Sequence, residues 1–341
     1  MNLLIRVKST KTHDIYNYMD GPLKNLLVVD LTRVLVGPYC TMILSDLGAR
    51  VIKVEAPEIG DDSRKFGPFI KDYSAYFMSL NRGKESIALN LKNTDDKKIF
   101  DKILSKADIL VENFKPGTLE KWGYGWKDIN KKYPKLIYAS ASGFGQTGPL
   151  KELPAYDMVV QGMGGLMSVT GQPNSEPTRV GTSIGDITAG LFTAIGINAA
   201  LYDRQKTGKG MFIDVSMLDC QIAILENAIA RYLAKNEIPK PMGSRHPSIA
   251  PFEAFKTKDS YIIIAAGNDR LFEKLCELLA MPEISKDPKF SDNSSRSKNM
   301  DELKIILEKK LASKSTSEWV KDMEKEKIPC GPIFNLSLIH I

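Results

Sequence analysis

Histidine and cysteine are scarce in this chain of 341 residues, and their scarcity excludes several kinds of site. His246 is one of only three histidines, which argues against a histidine-rich metal centre and leaves few imidazoles for acid–base catalysis. The four cysteines are far apart in the sequence and form no CxxC pair. We therefore predict neither a disulfide framework nor a zinc site, and we expect a reducing compartment.

Long apolar runs are also missing from the sequence. No apolar run reaches the roughly 18 residues that a membrane helix needs, so we expect no membrane association. The net charge is +6, but the lysines are scattered and aromatic residues are not interleaved with them. Because a diffuse positive field suits an anionic small ligand at least as well as a nucleic acid, we expect no nucleic-acid partner.

Strand-like and helix-like segments alternate in the first half of the chain. Residues 26–31 and 51–55 are apolar segments of strand type, and Gly37-Pro38 opens a helix between them that Gly48 closes. The pattern recurs with extended or helical segments at 86–89, 94–105, 108–111, 136–140 and 211–215. This alternation predicts an α/β fold with an open parallel, Rossmann-like sheet. Ligands bind such sheets beyond the carboxyl ends of the strands.

The composition of the sequence changes after about residue 235. Residues 218–234 predict one helix, and four prolines follow between positions 236 and 251. A hairpin pattern at 252–255 and 261–265 precedes helical segments at 269–279, 300–311 and 316–326. We predict an N-terminal extension (1–20), a large domain (21–235), a smaller α+β domain (236–335) and a short tail (336–341).

One glycine motif is misleading. The segment GFGQTG, at positions 143–148, matches the dinucleotide-binding pattern GxGxxG and follows a predicted strand. That pattern requires a helix that begins at the glycines. Pro149 and Pro154 leave only four residues between them, too few for such a helix. We therefore interpret the segment as a glycine turn between a strand and a loop.

The rest of the chain is organised around residues 156–190, where seven glycines accompany Asp186 directly before an apolar helical pattern. Glycines allow backbone amides to approach a ligand closely, and amides at the start of a helix favour negative charge. A carboxylate at this place could act as a nucleophile or as a helix cap. The spacing alone leaves both interpretations open.

Several separated motifs make the chain resemble the family III CoA-transferases (the CaiB/BaiF type), from about Gly21 to Asn335. In chain order they are DLTRVLVGPYCTMILSDLGARVIKVE, GDDSR, NRGKESIALNLK, ADILVENFKPGTLEKWG, SASGFGQTGP, YDMVVQGMGGLMSVTG, SIGDITAG, KTGKG and IPCGPI. Within the family the chain looks most like the succinyl-CoA:glutarate CoA-transferase branch. The stretch most specific to that branch is SIAPFEAFKTKDSYIIIAAGN.

The resemblance implies that Asp186 is the catalytic nucleophile. CoA would then move from an acyl-CoA, succinyl-CoA in that branch, to a free dicarboxylic acid, glutarate, through an aspartyl-acyl anhydride and an aspartyl-CoA thioester. A carboxylate needs no general base to attack a thioester, so few histidines are no obstacle. CoA thioesters would be substrates, and no cofactor would be bound permanently. We expect backbone amides of the segment that contains Gly162, Gly164 and Gly165 to stabilise the oxyanion, with Gly164 and Gly165 as the candidate donors.

The resemblance also assigns binding residues. The positions that match CoA contacts in the family are Val34, Leu35, Leu89, Asn113, Lys121 and Tyr156. Relatives commonly carry an arginine where this chain has Ala56, and Lys53 or Arg64 could supply the missing cation. For the distal carboxylate of a dicarboxylic acid, the candidate partners are Arg33, Arg245 and His246.

Two other functions remain open. The α-methylacyl-CoA racemases share the fold and the CoA site, but their proton transfer requires an acid–base pair, usually histidine with aspartate. Tyr156 stands at the position of that histidine, which argues against a racemase. The second alternative is a non-catalytic CoA-binding homologue. The intact Asp186 argues against it, because binding alone does not need that residue.

Assembly, location and chain length are further expectations. The resemblance implies a homodimer of interlinked chains. The first nineteen residues contain three basic residues and no acid before Asp14, so we predict a mitochondrial location, with a disordered extension and a cytoplasmic location as the alternative. Because the chain ends in the apolar sequence LSLIHI, we expect it to be truncated at its C-terminus.

Overall fold

The computed structural model describes residues 21–339, which divide into two compact units. The large unit comprises residues 21–169 and 177–239, and the small unit comprises residues 170–176 and 240–339. The predicted N-terminal extension and the last two residues of the chain lie outside the described residues.

The large unit contains a parallel sheet. The strands of this unit are β1 (Leu27–Asp30), β2 (Arg50–Glu55), β3 (Phe69–Ile70), β4 (Tyr73–Ser74), β5 (Lys84–Ala88), β6 (Ile109–Glu112), β7 (Ile137–Ser142) and β8 (Phe212–Ser216). Of these, β3 and β4 form a short antiparallel hairpin. The other six form the main sheet in the order β5-β2-β1-β6-β7-β8, and every neighbouring pair is parallel. The predicted open parallel sheet is confirmed.

Helices cover both faces of this sheet. They are α1 (Val36–Asp46), α2 (Ala75–Asn81), α3 (Thr94–Leu104), α4 (Thr118–Trp122), α5 (Trp126–Lys132), α6 (Asp157–Met163), α7 (Leu166–Val169), α8 (Ile184–Thr207), α9 (Met217–Ala223) and α10 (Glu226–Lys235). Successive residues of a strand point to opposite faces. Accordingly, Val28 packs in one core cluster together with α1 and α8, whereas Val29 packs in another together with α3.

The single helix predicted over residues 218–234 is wrong. The chain forms α9, leaves the helix at Ile224 and starts α10 at Glu226. Met217, Cys220 and Gln221 of α9 are buried, but α10 buries none of its residues. The helix therefore breaks at the point where its buried residues end, and apolar periodicity alone does not predict that point.

Helix α8 is held to the rest of the large unit along its length. Gly190 allows a close approach to α1, because a Cβ atom at this position would lie 2.7 Å from the carbonyl oxygen of Val36. Near the other end, the guanidinium of Arg204 pairs with Asp108 at 3.0 Å and donates to the carbonyl oxygen of Lys135 at 3.2 Å. The helix ends at Gly208, which has a left-handed conformation (φ 68°).

By length and composition, α8 is long and apolar enough to cross a membrane, although its longest stretch without a charged residue is residues 187–202, between Asp186 and Asp203. Half of its most apolar window is buried inside the structure. The core helix of a soluble protein passes the same test, and the observation is therefore weak evidence for a membrane span.

The small unit is an α+β arrangement. It contains β9 (Phe252–Lys256), β10 (Tyr261–Ala265), α11 (Asp269–Leu278), α12 (Asn293–Lys298), α13 (Met300–Leu311), α14 (Thr316–Lys325) and β11 (Cys330–Pro332). The antiparallel sheet has the order β11-β10-β9. Sequence patterns predicted the hairpin and three of the helices, but not α12 or β11.

Arg296, on α12, is a fully buried arginine in the core of the small unit. Its guanidinium donates to the carbonyl oxygens of Ala250 (2.7 Å), Phe290 (3.0 Å) and Gly267 (2.9 Å), and it pairs with Asp269 at 2.7 Å. One side chain therefore satisfies carbonyl groups from three separate loops.

We expect Arg296→Met to lower the free energy of unfolding by about 3 kcal/mol, because the three carbonyl groups would stay buried without donors. Arg270→Met, at an exposed position of α11, is the matched control and should change stability by less than about 0.5 kcal/mol. Urea unfolding of the full chain measures both variants. Equal stabilities for the two would contradict this role of Arg296.

Candidate active site

The order of the strands reverses at β1. From β1 the chain moves outward through β2 to β5, and it then returns to β6 on the other side of β1. In such sheets, ligands bind in the crevice beyond the carboxyl ends of the two strands at the reversal. Here the two loops of the crevice are joined, because the Asn113 side chain accepts from the amide of Arg33 and donates to its carbonyl oxygen, both at 2.8 Å.

The turn after β1 has an unusual backbone. Val34 has a left-handed conformation (φ 66°), which a β-branched residue rarely adopts. Its amide donates to Asp61 at 3.1 Å, and the buried Lys53 pairs with Asp61 at 2.9 Å and donates to the carbonyl oxygen of Thr32 at 2.7 Å. A buried ion pair therefore holds this strained turn in place.

Two more ion pairs lie beside this one. Glu55, at the end of β2, accepts two hydrogen bonds from Arg64, both at 2.7 Å, and the Arg64 guanidinium lies 3.8 Å from the centre of the Phe77 ring. Asp30, at the end of β1, pairs with Lys84 at 3.1 Å. Burial works against the charged form of Asp30, yet Lys84, Lys53 and two threonine hydroxyls hold its pKa well below the usual range.

These contacts correct one expectation. We named Lys53 and Arg64 as replacements for the arginine that is missing at Ala56, but both cations are already paired with carboxylates. Burial also lowers the pKa of the Lys84 ammonium to about 8, in opposition to the neighbouring charge of Asp30. None of these three cations is free to meet a ligand without leaving a buried carboxylate unpaired.

A cavity of about 520 Å³ opens at the carboxyl ends of β1, β2 and β5. Residues that line it include Thr32, Arg33, Ala56, Leu89, Lys92 and Phe114. The Arg33 guanidinium pairs with Asp62 at 3.1 Å and lies 5.5 Å from the centre of the Phe114 ring. The cavity therefore combines apolar walls with an exposed lysine, Lys92.

The other predicted CoA contacts do not line this cavity. Val34 is half-buried and Leu35 is buried in the turn just described. Lys121 is exposed on α4, and Tyr156, directly before α6, is 79% exposed. Of the predicted set, the structure brings together Leu89, Asn113 and the turn that contains Val34.

Two of the predicted substrate-binding residues belong to the small unit. There the guanidinium of Arg245 pairs with Glu253 at 2.9 Å and with Asp301 at 2.8 Å. The ring of His246 stacks on Phe252, with 5.3 Å between the ring centres. Each of these side chains therefore already has a partner within its own unit.

Asp186 is the third residue of α8 and is half-buried. Ser183 stands at the N-cap position, and the amide of Gly185 donates to Asp157 at 2.8 Å rather than to Asp186. Among residues 21–339, none donates a hydrogen bond to the Asp186 carboxylate. The interpretation of Asp186 as a helix cap is therefore wrong.

The surroundings of Asp186 favour its protonated form. Burial raises its pKa to about 7, and the nearby charge of Asp157 contributes in the same direction. Burial also raises the pKa of the Tyr76 hydroxyl, on α2, to about 12, and the charges of Asp186, Asp61 and Asp157 add to this effect. Tyr76 is therefore a neutral hydroxyl within the electrostatic reach of Asp186.

Sequence reasoning missed both Tyr76 and Asp157. For Asp157 a positional signal exists, because it lies in the segment that follows β7, and segments that follow parallel strands meet at one edge of the sheet. Tyr76 lies on α2, which directly follows the hairpin strand β4, and no sequence motif connects it with Asp186.

The predicted oxyanion donors are also corrected. The amide of Gly164 donates to the carbonyl oxygen of Val160 at 2.8 Å, and the amide of Gly165 donates to that of Gly162 at 3.3 Å. Packing explains Gly164, since a Cβ atom there would lie 2.6 Å from the Cβ atom of Gln221. Gly165 has φ 85°, which favours glycine. These amides close the end of α6.

The arrangement suits nucleophilic chemistry. A half-buried carboxylate without hydrogen-bond donors is more basic than an ordinary aspartate and is therefore a better nucleophile. In the described part of the chain, no group of three or more histidine, cysteine, aspartate or glutamate side chains is placed to hold a metal ion.

Comparisons with known proteins identify the family of the chain. The family model described as CoA-transferase family III matches residues 23–339. An acetyl-CoA:oxalate CoA-transferase of Acetobacter aceti is 48% identical over 318 residues, which cover 93% of this chain and 82% of that protein. A succinyl-CoA:glutarate CoA-transferase of Mus musculus is 44% identical over 316 residues, covering 92% of this chain and 72% of that protein.

A solved structure is similar along most of the chain. The crystal structure of a CAIB/BAIF family protein from Brucella suis has a TM-score of 0.83 and 41% sequence identity. The match covers 93% of this chain and 85% of that one. At this identity and TM-score, the two chains share both fold and ancestry.

A carboxyl group must be ionised to attack a thioester. Because burial and Asp157 raise the pKa of Asp186 to about 7, protonation should set in near neutral pH instead of near the ordinary value of about 3.9. We expect log kcat/KM to fall with a slope of about one as the pH drops below about 7. A kcat/KM that stays constant down to about pH 5 would contradict this assignment.

Proposed function

The chain belongs to CoA-transferase family III, and we propose that it transfers CoA from succinyl-CoA to a free dicarboxylic acid, with Asp186 as the nucleophile. Transfer of CoA is the activity that its relatives share by name. The observation that carries the proposal for Asp186 is its half-buried carboxylate, which has no hydrogen-bond donor among residues 21–339 and a pKa near neutrality.

The names of the relatives support a dicarboxylic acceptor. One is named for oxalate and another for glutarate, and both acids carry two carboxylates. We propose glutarate as the acceptor, as the branch-specific motif indicates. Transfer to oxalate with acetyl-CoA as donor is the alternative that the same experiment distinguishes.

The proposed reaction conserves the energy of the thioester. A carboxylate oxygen of Asp186 attacks the carbonyl carbon of the acyl-CoA, the C–S bond breaks, CoA leaves as a thiolate, and a mixed anhydride of Asp186 and the acyl group remains. The thiolate then attacks the aspartyl carbonyl carbon, which releases the donor acid and leaves Asp186 as a CoA thioester. The acceptor carboxylate repeats these two steps in reverse order, and Asp186 becomes a free carboxylate again.

The racemase alternative gains no support from the site. Its proton transfer requires a titratable base beside the aspartate, usually an imidazole. His246 is the only histidine among residues 21–339, and it belongs to the small unit. Within the large unit, the described residues therefore supply no imidazole to Asp186.

We propose that the cavity at the carboxyl ends of β1, β2 and β5 takes the nucleotide part of CoA. Its walls include Leu89 and Phe114, which suit an adenine ring, and its position at the strand reversal is typical of nucleotide sites in such sheets. Lys92 is an exposed cation on the wall of the cavity and suits a phosphate. We therefore propose Lys92, instead of Lys53 or Arg64, as the cation that replaces the arginine missing at Ala56.

We expect Lys92→Ala to raise the Kd for CoA about tenfold, as loss of one charge-assisted contact to a partly exposed phosphate would. Lys98→Ala is the matched control, since Lys98 lies on α3 and pairs with Asp95 on the surface. Isothermal titration calorimetry measures both variants. An unchanged Kd for Lys92→Ala would place the phosphates elsewhere.

The function is tested by offering succinyl-CoA or acetyl-CoA to the protein together with glutarate, oxalate or a monocarboxylic acid. Mass spectrometry then identifies the new thioester. We expect glutaryl-CoA from succinyl-CoA, and a loss of more than about 1000-fold in Asp186→Asn, which keeps the shape but not the nucleophile.

Hydroxylamine gives a direct check on the intermediate. Added during turnover, it should convert Asp186 to a hydroxamate that peptide mass spectrometry detects. Transfer that proceeds without this adduct, or that persists in Asp186→Asn, would contradict the covalent mechanism. Transfer to monocarboxylic acids at equal rates would contradict the dicarboxylic acceptor.

A further inference from the structure

Asp157, the first residue of α6, is buried, and its two carboxylate oxygens contact two different segments. Oδ1 accepts the amide of Gly185, in the first turn of α8, at 2.8 Å. Oδ2 accepts the side-chain amide of Gln161 at 2.8 Å, and Oε1 of Gln161 in turn accepts the amide of Val180 at 2.9 Å. This buried pair therefore fixes both α8 and the segment that leads into it.

The contact with α8 depends on a glycine. A Cβ atom at position 185 would lie 3.0 Å from Oδ1 of Asp157 and 2.7 Å from a methyl carbon of Val160. A side chain at this position would push α6 and α8 apart. Gly185 is thus required for the close approach that lets Asp157 reach the backbone of α8.

The hydrogen bond from Gly185 to Asp157 also determines which of the two carboxylates accepts the amide in the first turn of α8. Amides at the start of a helix stabilise a negative charge. Asp157 takes the amide of Gly185, and Asp186, the next residue, is left without a donor among residues 21–339. An aspartate without such a donor keeps a more basic and more reactive carboxylate.

We propose that Asp157 is a positioning residue for the nucleophile. It holds the first turn of α8 by accepting the amide of Gly185, and Gln161 holds Asp157 in turn. The inference rests on the proposed role of Asp186. It predicts that the hydrogen bonds of Asp157, more than the identity of residue 157, set the rate of attack.

The chain allows a rescue experiment. In Asp157→Asn, the new amide group faces the donor amide of Gln161, and one hydrogen bond is lost. In the double variant Asp157→Asn/Gln161→Glu, the asparagine can accept from Gly185 and donate to the glutamate, which can still accept from Val180. All three hydrogen bonds and the net charge are then restored.

We expect Asp157→Asn to lower kcat about 100-fold, as a misplaced nucleophile would, while the KM for the acyl-CoA changes less than about threefold. The double variant should recover to within about tenfold of the unchanged protein. Gly185→Ala should lower kcat like Asp157→Asn, although it leaves both carboxylates present. Glu152→Gln removes an exposed charge of the same unit and should have no effect.

Thermal unfolding of each variant separates positioning from loss of folding. A kcat of Asp157→Asn equal to that of the unchanged protein would overturn the proposal. A folded double variant as slow as the single one would also overturn it, because the restored hydrogen bonds would then not matter.

The hydroxamate assay distinguishes this failure from failure of the proposed function. If Asp186 of the unchanged protein gives no adduct during turnover, the covalent mechanism is wrong. If it gives the adduct and Asp157→Asn forms it at the same rate, only the positioning role of Asp157 is wrong.

Discussion

The large unit depends on the pairing of charges that are buried at one edge of its sheet. Lys53 pairs with Asp61, and the side chain of Lys84 pairs with Asp30. A buried charge without a partner would destabilise the protein by several kcal/mol, so these partners must meet. The first pair joins β2 to the loop that follows it, and the second joins β5 to β1. The crevice therefore has a fixed shape before any ligand enters it.

The same edge of the sheet provides two chemically different environments. Around the cavity, the buried acids Asp30, Glu55 and Asp61 are each paired with a cation. At the start of α8, Asp186 has no hydrogen-bond donor among residues 21–339 and lies near a second acid, Asp157. Such an arrangement lowers stability, and native structures keep it where surrounding contacts are strong enough to hold it. Here the hydrogen bonds of Asp157 and Gln161 provide those contacts.

Local patterns predicted the parallel sheet, because apolar strands and amphipathic helices alternate in sequence, and glycine and proline marked the bounds of α1 accurately. They also excluded a dinucleotide helix at residues 143–148. Local patterns did not predict contacts between distant segments. The break between α9 and α10 depends on where a packing partner ends, and the hydrogen bond from Gly185 to Asp157 joins residues that are 28 positions apart.

The glycines around Asp186 also show that local patterns do not predict contacts between distant segments. Their density around Asp186 indicated amides that face a ligand, but the structure assigns Gly164 to packing against α9 and Gly165 to a positive φ angle. A glycine in the sequence allows another group to lie close to the backbone but does not show which group that is. Asp186 and Leu89 were predicted from the resemblance to the family, and Leu89 lines the cavity. The position of Lys92 on the cavity wall and the hydrogen bonds of Asp157 depend on contacts between distant segments, which local motifs do not show.

Helix α8 is held at its first turn by Asp157, at Gly190 by α1 and near its last turn by Arg204. A helix that is anchored at three places holds the backbone of Asp186 in position. In the proposed reaction the sulfur atom must leave an acyl carbon and attack an aspartyl carbon. That displacement consequently falls to the flexible arm of the bound thiol, whose length and torsional freedom become part of the catalytic apparatus.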